Sequence, residues 1–217
     1  MSDPAPRVQT VEFAGPAGAL EGLLKLPVGE FREAALLCHP HPLYKGSMHS
    51  PVIFRAARAL QRRGVASLRF NFRSVGRSQG EFDEGIGEKG DVLAALDYLS
   101  RRLPAMPIRL LGYSFGARVG FAAAAADPRV DSLIGIGMPL SLGSFDFLVQ
   151  AGKPLLAVQG EWDEYGDAGD LERLILLLGA PSKLVVVAGG DHRFTGRLDS
   201  FEESLAAALA DFNGQAL

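Results

Sequence analysis

Residues 108–126 read Ile108-Arg109-Leu110-Leu111-Gly112-Tyr113-Ser114-Phe115-Gly116-Ala117-Arg118-Val119-Gly120-Phe121, followed by five alanines. Ile108 to Leu111 is short and mostly apolar, the size of a buried strand. Phe115 to Ala126 is rich in alanine and ends before Asp127-Pro128, where a helix stops. Between the two stands Gly112-Tyr113-Ser114-Phe115-Gly116, a G-x-S-x-G pattern. A serine on a sharp strand-to-helix turn presents its hydroxyl at the end of a sheet, and glycines two residues either side let strand and helix pass closely. The pattern alone is weak, because a chain with 26 glycines in 217 residues yields roughly 0.2 copies by chance. A second copy, Gly76-Arg77-Ser78-Gln79-Gly80, leads into Glu81, Asp83 and Glu84 with no helix behind it. Ser78 therefore reads as a turn residue, and Ser114 as the candidate nucleophile.

On either side of this stretch, short apolar runs alternate with helical patterns. Strands are expected at Ala34–Cys38, Val65–Asn71, Leu133–Ile136, Leu155–Gln159 and Leu184–Val187. Helices are expected at Pro51–Arg63, Glu88–Leu103, Leu171–Leu178 and Phe201–Phe212. The first of these carries start and stop signals: Ser50 as N-cap, Pro51 at the first position, Gly64 beyond the end. Strands separated by helices argue for a mostly parallel sheet with helices on both faces. Val8–Phe13 and Leu20–Leu26 flank the turn signal Gly15-Pro16-Ala17-Gly18, so an antiparallel edge hairpin is expected there. The whole of 1–217 reads as one α/β domain, with frayed tails at 1–7 and 213–217.

The charge, 22 basic against 25 acidic side chains, argues against a general nucleic-acid surface. No apolar run reaches membrane-spanning length, and Met1 to Arg7 has no apolar leader core, so a cytoplasmic location without membrane contact is expected. A single cysteine excludes an internal disulfide and a Cys-based zinc site. Gly85-Ile86-Gly87-Glu88-Lys89-Gly90 matches a dinucleotide fingerprint but follows an acidic loop instead of a strand. His39, His41 and His49 have no nearby carboxylate to complete a metal set. No metal or cofactor is expected.

A serine hydroxyl needs a base to take its proton. Of four histidines only His192 lies after Ser114, just beyond the Leu184–Val187 run and a Gly189-Gly190-Asp191 turn. Carboxylates cluster after Gln159 as Glu161, Asp163, Glu164 and Asp167, with Asp146 in the preceding connection. The order serine, acid, histidine fits the strand–serine–helix architecture.

On these stretches the chain resembles the α/β hydrolases, close to small cap-free serine esterases and dienelactone hydrolases. The resemblance rests on Leu36 to Tyr44, Phe70-Asn71-Phe72-Arg73 with Gly76-Arg77-Ser78, the Ser114 turn, Gly160-Glu161-Trp162-Asp163 and Gly190-Asp191-His192. It implies a Ser114–His192–Asp163 triad, with Asp163 chosen by its position after Gly160-Glu161. It also implies an oxyanion hole made of the Phe115 N–H and an N–H within His39 to Tyr44. The prolines there cannot donate, which leaves His41 first and Leu43 second. Ser74 and Lys45 stand where the family pattern has glycine, and His49 where relatives often carry an acid.

The activity that the resemblance implies is that of a serine hydrolase cleaving small carboxylic esters through an acyl-enzyme, with ester and water as its partners. A thioesterase or peptidase uses the same triad; a non-catalytic binder would be expected to lack one of its members. The connection Pro139–Gly152 is too short for a cap domain, so an open cleft is expected, lined by Tyr44, Phe72, Met138, Leu140, Trp162 and Phe194. An exposed edge strand offers a homodimer contact.

Overall fold

The structure is a computed structural model and describes residues 7–212. Among these residues eight strands form one sheet: β1 (Arg7–Gly15), β2 (Gly18–Leu26), β3 (Ala34–Cys38), β4 (Ala66–Phe70), β5 (Ile108–Tyr113), β6 (Val130–Ile136), β7 (Leu155–Gly160) and β8 (Lys183–Val187). Their order is β1-β2-β4-β3-β5-β6-β7-β8. From β4 to β8 every pairing is parallel. β2 alone runs against both its neighbours. The hairpin thus lies at one edge, with β1 outermost and β2 docked on β4. The expected tails at 1–6 and 213–217 lie outside the described residues, but Arg7 is no tail: it opens β1 opposite Leu26.

Six helices complete the described fold: α1 (Pro51–Arg62), α2 (Gly87–Arg102), α3 (Phe115–Ala124), α4 (Phe147–Ala151), α5 (Ala168–Leu177) and α6 (Leu198–Asp211). The central strands β3, β4 and β5 are buried on both faces; β3 accordingly reads as a continuous apolar run and β5 as one broken only by Arg109, whereas β4 alternates Ala66, Leu68 and Phe70 with buried Ser67 and Arg69. One core cluster joins Leu36, Leu68, Leu110 and Leu133 to Val92, Leu96 and Phe121 of α2 and α3. The other joins Leu37, Leu111, Ile134 and Val158 to Ile53 and Leu60 of α1 and Phe201 and Leu205 of α6. The charge in the middle strand has a local reason. Arg109 sits near the start of β5, pairs with Glu33 at 2.8 Å and donates to the Phe212 carbonyl at 3.0 Å.

Ser50 precedes α1 as expected but does not cap it; its hydroxyl turns back to accept the Ser47 N–H at 3.0 Å. Between β6 and β7 stand only a 3₁₀ turn, Leu140–Leu142, and the five-residue α4. This connection is tied down. Arg118 of α3 donates to the Leu142 carbonyl at 2.7 Å, and the N–H and hydroxyl of Ser141 both bond to the Tyr165 carbonyl. Among the described residues no lid covers the carboxyl ends of the strands.

Lys45 (φ 64°) and Ser74 (φ 66°), the two departures from glycine, both occupy left-handed backbone. A Cβ is disfavoured in that region, and glycine is not. Lys45→Gly and Ser74→Gly are each expected to raise the unfolding free energy by about 0.5–1 kcal/mol, net of glycine's freer unfolded chain. Urea denaturation of the two variants checks this.

Candidate active site

Ser114 stands at the junction of β5 and α3 with φ 55° and ψ −118°, a conformation non-glycine residues rarely adopt. The flanking glycines have a steric reason. A Cβ on Gly112 would overlap Ala117, and one on Gly116 would overlap the Cys38 carbonyl, both well inside van der Waals contact. The turn is held from the next strand, since the Ser114 N–H donates to Ile136 O at 2.9 Å. This junction presents the hydroxyl at the carboxyl end of the sheet.

The loop after β8 brings His192 to the serine, with its Nε2 2.9 Å from Ser114 Oγ. Nδ1 lies 2.9 Å from both carboxylate oxygens of Asp163, in the loop after β7. The Asp163 side chain is completely buried. Of the carboxylates left open by spacing, Asp163 is the one that meets His192. Glu161 instead accepts the Gly189 N–H at 2.7 Å, and Asp167 caps α5. Asp146 lies at the start of α4.

The Asp163 carboxylate has further donors. Tyr165 N–H reaches Oδ1 at 2.9 Å and Gln159 Nε2 reaches Oδ2 at 2.8 Å. Gln159, fully buried at the end of β7, also donates to Gly166 O at 2.9 Å and accepts the Met138 N–H at 2.9 Å. One amide thus holds the acid, the β6 loop and the β7 loop together. On the histidine side, Tyr113 Oη donates to His192 O at 3.0 Å, and the Tyr165 ring stands edge-on to the imidazole at 4.7 Å.

The loop after β3 flanks the first turn of α3. Phe115 opens that helix, and a first helical N–H has no carbonyl four residues behind it. The His41 ring lies 4.8 Å from the Phe115 ring. Leu43 is a correction: its N–H donates to His41 Nδ1 at 3.2 Å, capping the 3₁₀ turn Pro42–Tyr44, and is not free for another acceptor. Among the described residues, the His41 N–H has no such acceptor. His39 pins the loop from inside. Phe72 N–H donates to its Nε2 at 3.1 Å, so Nδ1 carries the proton and donates to Pro40 O at 2.6 Å. Complete burial pushes the His39 pKa down to about 4. Burial also pushes the Cys38 thiol up, keeping it a neutral core group.

The expected cleft lining divides. Tyr44 and Trp162 are exposed, at 76% and 68%, and Leu140 is half-buried. Phe72, Met138 and Phe194 are fully buried and line no surface. Phe72 packs edge-on to His39 and Phe115, and Phe194 packs on Phe201. Three residues near the site were not anticipated: Gln159, Tyr165 and Phe82, whose ring is 5.1 Å from His41. A glutamine closing an apolar strand run was the signal for the first.

Ser78 is buried as a turn residue, its hydroxyl donating to Asn71 O and accepting the Glu21 N–H. The glycines at 85–90 cradle no phosphate, because the Glu88 carboxylate itself accepts the Asp83 and Gly85 N–H groups. Among the described residues no group of three or more His, Cys, Asp or Glu side chains gathers to hold a metal ion. No helix among them is long and apolar enough to cross a membrane.

A parallel sheet with a serine at a strained strand–helix turn, and a histidine and acid at later strand ends, defines an α/β hydrolase. The model of the alpha/beta hydrolase domain family matches residues 45–213, and the chain belongs to that family. It is 33% identical to an uncharacterized protein of Rickettsia prowazekii over 90% of this chain and 86% of that one. A solved alpha-beta serine hydrolase homologue from Coxiella burnetii is 34% identical, with TM-score 0.83, covering 93% of this chain and 97% of that one. A lidless α/β serine hydrolase from Xanthomonas campestris is 31% identical over the whole of both chains, with TM-score 0.84. These likenesses support hydrolase activity.

Gln159→Leu would strip a buried donor from Asp163 and leave the Met138 N–H and Gly166 carbonyl without this partner. We expect a loss of roughly 2–4 kcal/mol in stability, read by denaturant unfolding. The depressed His39 pKa has a pH consequence. Below about pH 6.5 the unfolded chain takes up a proton that folded His39 refuses until about pH 4. This stabilisation is therefore full above about pH 6.5 and is lost as pH falls towards about 4. Unfolding curves across that window should slope less for His39→Gln than for wild type.

Proposed function

We propose that the protein is a serine hydrolase that cleaves small carboxylic esters through an acyl-enzyme, with Ser114 as nucleophile, His192 as base and Asp163 as orienting acid. The observation that carries this reading is the continuous chain Ser114 Oγ–His192 Nε2 at 2.9 Å and His192 Nδ1–Asp163 at 2.9 Å.

Ser114 Oγ attacks the ester carbonyl as His192 Nε2 takes its proton. Asp163 holds Nδ1–H, fixes the tautomer and stabilises the imidazolium. The carbonyl oxygen becomes an oxyanion facing the Phe115 N–H at the positive end of α3, with the His41 N–H as the second donor. One such donor is worth about 3 kcal/mol in the transition state. His192 then returns the proton to the leaving alcohol, and water, activated by the same imidazole, releases the acid. Small esters are favoured over long acyl chains that need enclosure, because the short, tied β6–β7 connection leaves the serine open. Tyr44 and Trp162, the exposed rings on the loops after β3 and β7, are the proposed lining for a small acyl or alkoxy group.

A fluorophosphonate probe is expected to label wild type and not Ser114→Ala; folded wild type that resists labelling would refute the reading. Asp163→Asn is expected to lower p-nitrophenyl ester turnover roughly 10⁴-fold. Matching thioesters and anilides run beside the esters would reveal a thioesterase or peptidase as the faster activity.

A further inference from the structure

Four rings from three separate segments meet beside the first turn of α3. His41 and Tyr44 come from the loop after β3, Phe82 from the loop between β4 and α2, and Phe115 from α3 itself. The His41 ring lies 4.9 Å from Tyr44, 5.1 Å from Phe82 and 4.8 Å from Phe115, and Phe82 lies 6.0 Å from Phe115. None of the four is buried: Tyr44 is open to solvent and the other three are half-exposed.

The loop that carries Phe82 is built rigidly. Glu88 is fully buried, and its two carboxylate oxygens accept the Asp83 and Gly85 N–H groups, each at 2.8 Å. Burying a carboxylate is unfavourable unless its lone pairs are satisfied. Here they are satisfied by the turn directly after Phe82. Arg73 braces the same loop, pairing with buried Asp91 at 2.8 Å and donating to Gly87 O at 2.6 Å. The braced turn fixes the backbone next to the half-exposed Phe82, whose ring stands against His41 and Phe115.

The strand order says which part of an ester would meet these rings. β3 and β4 lie on one side of β5, and β6, β7 and β8 on the other. Ser114 directly follows β5, and His192 and Asp163 reach it from the β7–β8 side. A leaving oxygen must face His192 Nε2 to receive its proton, and the carbonyl oxygen faces the Phe115 N–H. With the leaving group turned to the β7–β8 side, the β3–β4 side, where the four rings stand, is left for the acyl group. We propose that His41, Tyr44, Phe82 and Phe115 form an acyl subsite for a flat aromatic acyl group. The rings are tilted to one another by 42° to 61°, so they offer both edges and faces, and a planar ring finds T-shaped partners that a saturated ring of equal size does not.

This subsite rests on the serine-hydrolase reading, and its test separates the two. The full chain is assayed with p-nitrophenyl phenylacetate and p-nitrophenyl cyclohexylacetate, which share leaving group, carbon count and an unconjugated carbonyl. We expect kcat/KM to favour phenylacetate by about 2- to 12-fold, the gain one aromatic pair supplies beyond area. Phe82→Leu and Tyr44→Leu should each draw that ratio towards one; Tyr44 is exposed enough that its variant keeps the fold. Equal rates in wild type, or a preference that survives in both variants, overturns the subsite and leaves the hydrolase reading standing. If neither ester is cleaved, the subsite falls. Fluorophosphonate labelling of Ser114 in that same preparation then tells whether the reactive serine falls with it.

Discussion

The candidate site hangs on one strained residue. Ser114 holds a left-handed φ that costs about 1–3 kcal/mol for a residue with a Cβ. Three constraints keep it there. The turn's N–H is bonded to β6, Gly112 is pressed against α3, and Gly116 is pressed against the end of β3. β5 is buried over its whole length between two apolar clusters, so the strain is set against burial many times larger. Relaxing the turn would require parting α3 from β3, which opens the core.

The partners of that serine are held with equal economy of motion. His192 and Asp163 lie on loops, where mobility is the usual expectation. Here the loops are closed by buried polar contacts, Tyr113 on the His192 carbonyl and Gln159 on Asp163, Gly166 and Met138, and at the surface by Ser141 on Tyr165. A lid normally excludes water and completes the site on closure. With only a 3₁₀ turn and a five-residue helix between β6 and β7, pre-organisation of the loops is the means this chain has of fixing geometry.

β3 and β5 were legible in the sequence because burial on both faces leaves a nearly unbroken apolar run. Ala34–Cys38 appears with the bounds its composition indicates, and Ser114 stood just past such a run, while His192 follows the apolar run of the half-exposed edge strand β8. Direction of side chains was not legible. Phe72, Met138 and Phe194 sit near strand ends as expected, yet a place at a strand end does not say whether a side chain faces the cleft or the core, and all three are buried. Phe82 was hidden for the opposite reason. It lies among Glu81, Asp83 and Glu84, a composition that reads as a solvated loop, and its position depends on Glu88, a residue type almost never buried. Leu43 failed as a donor because a local cap by His41 took its N–H, a contact that spacing does not reveal.

In the proposed reaction, the loop beside the serine lets a buried neutral group orient a donor for the oxyanion. The Pro40 carbonyl and the His41 N–H belong to one planar peptide unit. His39 Nδ1–H holds that carbonyl at 2.6 Å, and so sets the direction of the N–H on its far side. The hold requires one tautomer, since Nε2 must accept from Phe72 N–H while Nδ1 donates. A second proton would break the Phe72 contact, and burial opposes it, which is the cause of the depressed pKa. The same desolvation that keeps His39 neutral therefore keeps the peptide aimed. Because that ring is enclosed by the sheet and by Phe72, the orientation does not depend on solvent reaching the open cleft above it.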